Sequence, residues 1–493
     1  MRISVRAIVV CLWVGVVVSS ASAVETVSIC LNGRWDKARE VVENQKPEAW
    51  QTTTIPEVQN GNIGPFVWYR RVFELGEVSA DRRYVLRFEK VNFTCTVFLN
   101  GREVGRNFGG CTMFEFDAGD FLQAGENELA VRVGDAESIR VSGVPVGKGV
   151  RFLPEDHSLG DKAFVGPSTS VHTWYWGIVD DVTLCIFPRV RVADIYAIPE
   201  VEADRLRAEV LVENGSAEGG FDGAVELAVT DVEGNEVLRF EPVECNVAVG
   251  EETAISAGVE VAERLRLWWP HDPQLYYLAA TVRDARGEVV HRERVRFGYR
   301  QFRVDGERFR LNGVPTILRG TSLHYSEGGR EAFNPAGVYD LVRRGGAQIV
   351  RLHCAVRPNK WYRIADETGM LLVCESSLNG SHQHNALQTE LFFETAQRHI
   401  CQTVRRLRNH PSIVIWSLSN EVGLDGSGRI TDGILASIYE EVRAIDDSRP
   451  YTAEGDGDLG GVLPIIGIHA WWNYNQPMYP ESTYWFESMP VRK

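Results

Sequence analysis

The sequence lacks three features that would place it outside the ordinary globular proteins. It has no low-complexity tract, no Cys-x-x-Cys motif and, apart from one run near its start, no apolar segment that approaches the length of a membrane span. A chain of 493 residues that is 44% hydrophobic has enough apolar material for several buried cores. These properties predict a multidomain globular protein.

Positive charge is also in short supply. The chain has 52 lysines and arginines against 67 aspartates and glutamates, a net charge of −15. Proteins that bind nucleic acids or anionic membranes must neutralise phosphates with clustered basic residues. We therefore expect neither a nucleic acid nor a membrane surface as a partner.

The nine cysteines have irregular spacing. Cys95, Cys354 and Cys374 lie in apolar, strand-like runs, which favours buried free thiols. A disulfide between Cys95 and Cys111 is the alternative that the sequence leaves open.

The amino terminus has the pattern of a secretory signal. Arg2 and Arg6 precede the apolar run 7–18, and the small residues of Ala21-Ser22-Ala23 follow. The run is too short for a membrane anchor. We expect residues 1–23 to be removed and the mature protein to be secreted or periplasmic.

Two all-β regions follow. Residues 24–188 contain short alternating runs punctuated by turns such as Asn100-Gly101. Residues 189–298 continue the alternation over about a hundred residues, which predicts an immunoglobulin-like β-sandwich.

From residue 299 to 493, apolar runs alternate with helical periodicity, the pattern of a parallel βα array. One predicted helix has Ala396, Ile400, Val404 and Leu407 on one face. The predicted strands are Thr316 to Ser322, Gln348 to His353, Met370 to Glu375, Ile413 to Leu418, Tyr451 to Glu454 and Pro464 to His469.

The fourth of these strands carries the strongest chemical signal. Ile413 to Leu418 is a nearly continuous apolar run, typical of a parallel strand buried on both faces, and Asn420-Glu421 follows it. Barrels of alternating strands and helices place their catalytic groups at such strand ends. A carboxyl group held among apolar neighbours can stay protonated and act as a general acid. The alternative is a helix-start acid that caps the next turn.

The segment from Arg408 to Glu421 resembles the acid/base segment of family 2 of the glycoside hydrolases, with Ser419 where that family usually has glycine. Leu31 to Trp35, Trp68 to Arg71 and Phe98 to Gly101 resemble its amino-terminal domain. The resemblance implies a jelly-roll sugar-binding-like domain over 24–188, the immunoglobulin-like domain over 189–298 and a (β/α)₈ TIM barrel from 299. It also implies that Glu421 is the acid/base and that Asn420 binds the sugar 2-hydroxyl.

Other candidate site residues lie near predicted strand ends. By resemblance, Arg319 with His324, Arg351 with His353, and Glu375 belong to substrate-binding segments, although His353 stands one residue earlier than the family histidine. His469 and Trp471 are candidates for a sugar-stacking wall. Each of these residues has an alternative as a packed, hydrogen-bonded residue at a barrel end.

The second carboxylate of a retaining glycosidase is not found. In the family it is a glutamate after strand seven, and the chain offers about six βα units where a closed barrel needs eight. Glu481 and Glu487 lie in a segment similar to one that precedes strand seven, so we interpret both as loop or helix residues. The expectation is a barrel that is incomplete at its carboxyl end, in a chain that is a fragment or a product cut short.

The predicted function is a secreted, retaining exo-β-glycosidase, β-galactosidase-like, that takes a carbohydrate substrate. The alternatives are a catalytically dead carbohydrate-binding protein and an inactive fragment. No cofactor is expected. No metal is expected either, because Asn379 and Ser381 stand where some β-galactosidases have magnesium ligands. The sequence is compatible with a homo-oligomer.

Overall fold

A computed structural model of the chain describes residues 26–41, 45–57, 66–92, 94–108, 110–134, 177–323, 334–354, 356–378, 390–421, 428–455 and 458–467. The predicted signal peptide, residues 1–23, lies outside these residues. Among the helices so described, none is long and apolar enough to cross a membrane.

The first β unit is built from two main antiparallel sheets, with strand orders β1-β12-β5-β9 and β3-β2-β4-β10-β7-β8, and a small pair β11-β6. Its strands are β1 (Val27–Cys30), β2 (Gly33–Arg39), β3 (Gln51–Ile55), β4 (Phe66–Leu75), β5 (Arg82–Phe88), β6 (Val91–Asn92), β7 (Thr94–Leu99), β8 (Arg102–Phe108), β9 (Phe114–Asp117), β10 (Gly125–Gly134), β11 (Gly177–Ile178) and β12 (Val182–Pro188).

Strict alternation in the sequence explains this layering. In β7, Cys95, Val97 and Leu99 are buried while the residues between them are half-buried, so one face of the strand packs into the core. Asn100 and Gly101 then connect β7 to β8 with positive φ angles of 52° and 78°, as the Asn-Gly pair predicts.

The second β unit consists of two further antiparallel sheets. Strands β13, β14 and β18 form one, and β16, β15, β19 and β20 form the other, with β17 also paired to β15. The strands are β13 (Val190–Glu200), β14 (Arg205–Asn214), β15 (Phe221–Thr230), β16 (Glu236–Arg239), β17 (Val243–Val247), β18 (Glu252–Glu260), β19 (Tyr276–Asp284) and β20 (Val289–Phe297). Alternate residues of both sheets fill one shared core, as in a β-sandwich.

The third unit, the βα unit, begins with a small antiparallel sheet and continues as a parallel one of order β24-β25-β26-β27-β28. The strands are β21 (Phe302–Asp305), β22 (Arg308–Leu311), β23 (Val314–Thr316), β24 (Gly320–Leu323), β25 (Ile349–Leu352), β26 (Leu371–Glu375), β27 (Ile413–Asn420) and β28 (Tyr451–Glu454). The helices are α1 (Pro335–Arg344), α2 (Asn359–Thr368), α3 (Glu390–Leu407) and α4 (Gly428–Ile445).

Two predicted strands differ from the structure. The run predicted from Thr316 to Ser322 is divided, because residues 317–319 separate β23 from β24. The beginning of the predicted run thus belongs to the small antiparallel sheet. Of the predicted strand from Pro464 to His469, residues 464–466 form no strand and residues 468–469 lie outside the described part.

The connection between α3 and β27 is docked on the second β unit. Asn409 accepts a hydrogen bond from the Ala197 amide (2.9 Å) and donates one to the Ile195 carbonyl (2.7 Å). Both groups belong to β13, which lies at the edge of its sheet and has backbone groups to satisfy there. Arg408 adds an ion pair to Asp194 at 2.8 Å. The start of β27 is therefore positioned by a different unit of the chain.

A buried carboxylate completes this junction. Asp366 of α2 is bound by the His410 ring (2.6 Å), the Ser412 hydroxyl (2.6 Å) and Arg296 of β20 (3.1 Å). Burial alone would raise the pKa of Asp366, but His410 and Arg296 hold it below its ordinary value.

Candidate active site

The five parallel strands β24 to β28 bring their carboxyl ends to one edge of the sheet. Residues facing one another there include Glu375 opposite Ser417 and Asn420 opposite Glu454. All eight residues of β27 are buried, as the nearly continuous apolar run from Ile413 to Leu418 predicts. This edge collects Arg351, Glu375, Asn420 and Glu421.

Glu375 and Arg351 form the centre of the cluster. The guanidinium of Arg351 donates to both carboxylate oxygens of Glu375, at 2.8 and 2.9 Å. The Ser417 hydroxyl (2.9 Å) and the Cys354 amide (2.7 Å) donate to the same carboxylate. Two oxygens that accept four hydrogen bonds are suited to an ionised carboxylate paired with a guanidinium.

In this pair, burial and the neighbouring charges shift each pKa in opposite directions. Burial raises the pKa of Glu375, and Arg351 acts against that rise. Burial also works against the charge of Arg351, but the carboxylates of Glu375 and Glu454 raise its pKa above the ordinary value. Arg351 is therefore positively charged, and the neighbouring carboxylates balance that charge.

Asn420 is held by the same guanidinium. Arg351 donates to its side-chain oxygen at 2.5 Å, which fixes the amide in one orientation and turns the NH₂ group away from Arg351. The backbone amide of Asn420 donates to the Leu378 carbonyl at 2.9 Å. An amide with a fixed orientation can recognise a hydroxyl group by direction as well as distance.

Glu421 follows in a left-handed backbone conformation, with φ of 56°. Its amide donates to the Glu454 carbonyl at 2.8 Å. Left-handed non-glycine residues are uncommon and concentrate at functional positions. The turn ends β27 directly after Asn420 and leaves the Glu421 side chain half-buried at the strand-end edge.

Sequence reasoning missed Glu454. It is the last residue of β28, lies opposite Asn420, and contributes negative charge to both Arg351 and Glu375. The sequence could have indicated this residue, because Glu454, like Glu375, is a carboxylate at the carboxyl end of a predicted strand.

His353, Cys354 and Glu375 bring three possible metal-ligating atoms within 4.8 Å of one another. They do not fit a metal ion. Both oxygens of Glu375 already accept hydrogen bonds from Arg351 and the Cys354 amide, so a metal ion would have to displace these donors. Instead, the His353 ring contacts the Cys354 sulfur at 3.3 Å.

Arg319 does not join the cluster. It immediately precedes β24, and its carbonyl accepts from the Gln348 amide, at the amino end of the sheet. The pairing of Ser322 with Arg351 shows that Arg319 lies three residues below the strand-end edge. The structure thus places Arg319 away from the strand-end cluster, and its role in substrate binding stays a prediction. His324, His469 and Trp471 lie outside the described residues, as do Glu481 and Glu487.

The described cysteines are free thiols, and Cys95, Cys354 and Cys374 are buried, as predicted. Cys95 and Cys111 are not joined: the Cys111 amide and thiol both contact the Asn92 side chain.

Three successive parts of the chain match one family. Residues 21–146 match its sugar binding domain, residues 190–300 match the region described as glycosyl hydrolases family 2, and residues 302–489 match its TIM barrel domain. The predicted combination of jelly-roll, immunoglobulin-like and barrel folds is thereby confirmed.

Curated proteins similar to this chain include a β-galactosidase of Enterobacter cloacae, 26% identical over 481 residues that are 88% of this chain and 43% of that protein. A putative β-glucuronidase of Formosa agariphila is 25% identical over 385 residues, 76% of this chain and 42% of that protein. The chain thus spans less than half of the length of these relatives.

Solved structures share the fold. A β-glucuronidase of Bacteroides uniformis matches with a TM-score of 0.72 and 19% identity, over 89% of this chain and 54% of that one. A β-galacturonidase from Eisenbergiella tayi, bound to galacturonate, matches with a TM-score of 0.69 and 22% identity, over 87% of this chain and 71% of that one.

Proposed function

The chain belongs to family 2 of the glycosyl hydrolases, and from that premise we propose that it is a retaining exo-β-glycosidase that hydrolyses terminal β-linked sugars. The observation that carries the proposal is the buried Arg351–Glu375 pair, which orients Asn420 directly before Glu421. A site organised around an oriented amide and an adjacent carboxyl group is suited to holding a sugar hydroxyl and protonating a glycosidic oxygen.

In the proposed mechanism, Glu421 donates a proton to the leaving oxygen while Asn420 holds the sugar 2-hydroxyl. Arg351 and Glu375 act on Asn420, and Glu454 adds negative charge beside them. A second carboxylate attacks the anomeric carbon, about 5–5.5 Å from the first in a retaining enzyme. We assign this role to none of the glutamates in the described part of the chain.

We propose a neutral β-galactoside as the substrate. The β-galactosidase of Enterobacter cloacae supports this choice, whereas the Formosa relative and the Bacteroides and Eisenbergiella structures bear names of uronide-cleaving enzymes. At the strand-end edge, Arg351 is committed to Glu375 and Asn420, and Arg357 donates to the Leu323 carbonyl. A uronate carboxylate would approach the carboxylates of Glu421 and Glu454 there.

We further propose export, on the basis of the signal pattern in residues 1–23. Amino-terminal sequencing of exported protein should begin at Val24. Material that begins at Met1 would contradict export by this route.

The function is tested with a panel of aryl β-galactosides, β-glucuronides, β-mannosides and β-glucosides. The substrate should be the galactoside, and proton NMR should show the β-anomer of the sugar as the first product. The assay uses this chain and, in parallel, the product of any in-frame codons that follow it. Sugar binding without turnover in both would favour the carbohydrate-binding alternative, and a preference for the glucuronide would overturn the choice of substrate.

A further inference from the structure

The side chain of His399 lies where the first β unit meets the strand-end edge. His399 belongs to α3, is 1% exposed and contacts two other parts of the chain. On one side its Nδ1 atom is 2.6 Å from the Thr112 hydroxyl, in the loop that follows β8. On the other side its Nε2 atom is 3.0 Å from the Ser377 amide, two residues after Glu375.

These contacts define the protonation of the ring. The Ser377 amide can only donate, so Nε2 must be the unprotonated nitrogen and Nδ1 carries the hydrogen. The Thr112 hydroxyl donates to the Gly110 carbonyl at 3.2 Å and so accepts from Nδ1. Only the neutral ring can make both contacts. Burial, with the nearby charges of Lys90 and Arg398, lowers the pKa of His399 to about 3, which agrees with a neutral ring.

From Ser377 the contacts lead to the site. The Leu378 carbonyl accepts the hydrogen bond from the Asn420 amide at 2.9 Å. The neighbouring Ser376 hydroxyl donates to the Leu418 carbonyl at 2.5 Å. The segment Ser376–Leu378 therefore links His399 to the end of β27, where Asn420 and Glu421 lie.

The Ser377 side chain extends the link to a second strand end. Its hydroxyl accepts from the Val356 amide at 3.2 Å, in the segment that follows β25. The Val356 carbonyl in turn accepts from Lys90 of the first β unit. The segment after β25 is thus bound directly by buried Lys90 of the first β unit, and the segment after β26 is connected to Thr112 of that unit through His399.

We propose that His399 is a positioning residue: its neutral ring transmits the position of the Thr112 loop to the backbone of Ser377 and Leu378, and through it to Asn420. The first β unit would then act on the reaction without touching the substrate. The effect on catalysis rests on the proposed glycosidase function, whereas the effect on the backbone does not.

Hydrogen exchange of the Ser377 and Asn420 amides measures the link directly, because both amides are donors in it. Thr112→Val removes the hydroxyl while keeping the shape of the side chain. We expect it to accelerate exchange of both amides about five- to tenfold, the loss of roughly one hydrogen bond. Thr253→Val is the matched control, since it removes a hydroxyl that donates to the Asn246 carbonyl at 2.9 Å in the second β unit. It should leave both amides unchanged.

His399→Gln tests whether the ring carries the effect. The glutamine carbonyl can accept from the Ser377 amide, which should restore protection relative to His399→Phe. Adding Thr112→Val to either His399 variant should then change exchange less than it does in the native background. Equal effects of Thr112→Val in all backgrounds, or unchanged exchange in Thr112→Val, would overturn the proposal even if His399→Phe fails to fold.

Activity separates this proposal from the proposed function. If Thr112→Val accelerates exchange and the native protein hydrolyses no glycoside, the glycosidase proposal fails and the positioning role stands. If the native protein is active, Thr112→Val should lower kcat several-fold with little change in KM. Unchanged kcat alongside accelerated exchange would overturn the catalytic part of the inference.

Discussion

At the scale of single residues, the site depends mainly on side chains that form hydrogen bonds with one another. Arg351 uses one nitrogen for both Glu375 and Asn420, so a change in one partner moves the other. Residues that act in this way give large, non-additive effects when they are substituted.

Glu421→Ala removes the proton donor from the proposed reaction. In an active preparation, hydrolysis of a natural glycoside should fall about 10²–10⁴-fold, because its leaving oxygen needs protonation. Formation of the glycosyl-enzyme from an activated aryl glycoside should change little. Azide should rescue the second step and yield the β-glycosyl azide, detected by mass spectrometry. Equal losses on both substrates without that product would show that Glu421 is not the acid/base.

Glu375→Gln tests the buried pair. The glutamine would direct an NH₂ group at hydrogen-bond donors and leave Arg351 without its carboxylate, so we expect the free energy of unfolding to fall by about 3–5 kcal/mol. Urea denaturation followed by tryptophan fluorescence measures it.

The control for that variant is Glu367→Gln, which disrupts an exposed pair with Arg296 and should cost less than about 1 kcal/mol. Equal unfolding midpoints for the two variants would contradict the central role of Glu375.

At the scale of elements, the parallel sheet is held from its amino end by contacts with the second β unit. Asn409 occupies the edge of β13 much as a neighbouring strand would, and Asp366 joins α2 to the start of β27. The elements that orient Asn420 and Glu421 are thus supported at both ends.

Asn409→Ala should leave the Ala197 amide and the Ile195 carbonyl without partners at the junction. We expect a loss of about 2–4 kcal/mol in unfolding free energy, since an unsatisfied buried polar group costs about 1–3 kcal/mol. Asn409→Asp keeps the acceptor for Ala197 but faces the Ile195 carbonyl with a carboxylate, so it should also destabilise. A stability unchanged in Asn409→Ala, measured by urea denaturation, would show that the contact is not needed for docking.

At the scale of the whole molecule, acid should weaken the contact between the first β unit and the βα unit. The pKa of His399 is about 3 in the folded chain and about 6.5 when unfolded, so the unfolded chain binds the extra proton between these values. The stabilisation is complete above pH 6.5 and is lost as the pH falls, at up to about 1.4 kcal/mol per pH unit.

Comparison with His399→Gln isolates this effect, because the other titrating groups are common to both proteins. One of them is Asp180, whose pKa burial raises to about 6. The stability advantage of the native chain at pH 7 should shrink by about 2–3 kcal/mol at pH 4.5. A constant difference across this range of urea titrations would contradict a neutral, buried His399.

The three units should also differ in resistance to proteolysis. Each β unit closes its own core, whereas the described parallel sheet ends at β24 and β28 without closing on itself. Limited trypsin digestion of this chain should cut first after about residue 300 and leave the β units intact, which mass spectrometry can show. Uniform resistance up to Lys493 would contradict this expectation.

Much of the protein was determined by the sequence alone. Alternating runs, the Asn-Gly turn before β8 and the nearly continuous apolar run of β27 depend on neighbours in the chain, and local periodicity reports which face of an element is buried. The same local patterns, ordered along the chain, identified the family and pointed to Glu421, whose role stays a prediction.

Only the tertiary structure decided how distant residues meet. Parallel register placed Arg351 on Glu375 and Asn420 and left Arg319 at the opposite end of the sheet. Thr112 and His399 meet although 287 positions separate them. Register and docking depend on the packing of elements against each other, because the register of strand pairing decides which side chains reach the same edge of the sheet. No local pattern encodes that choice.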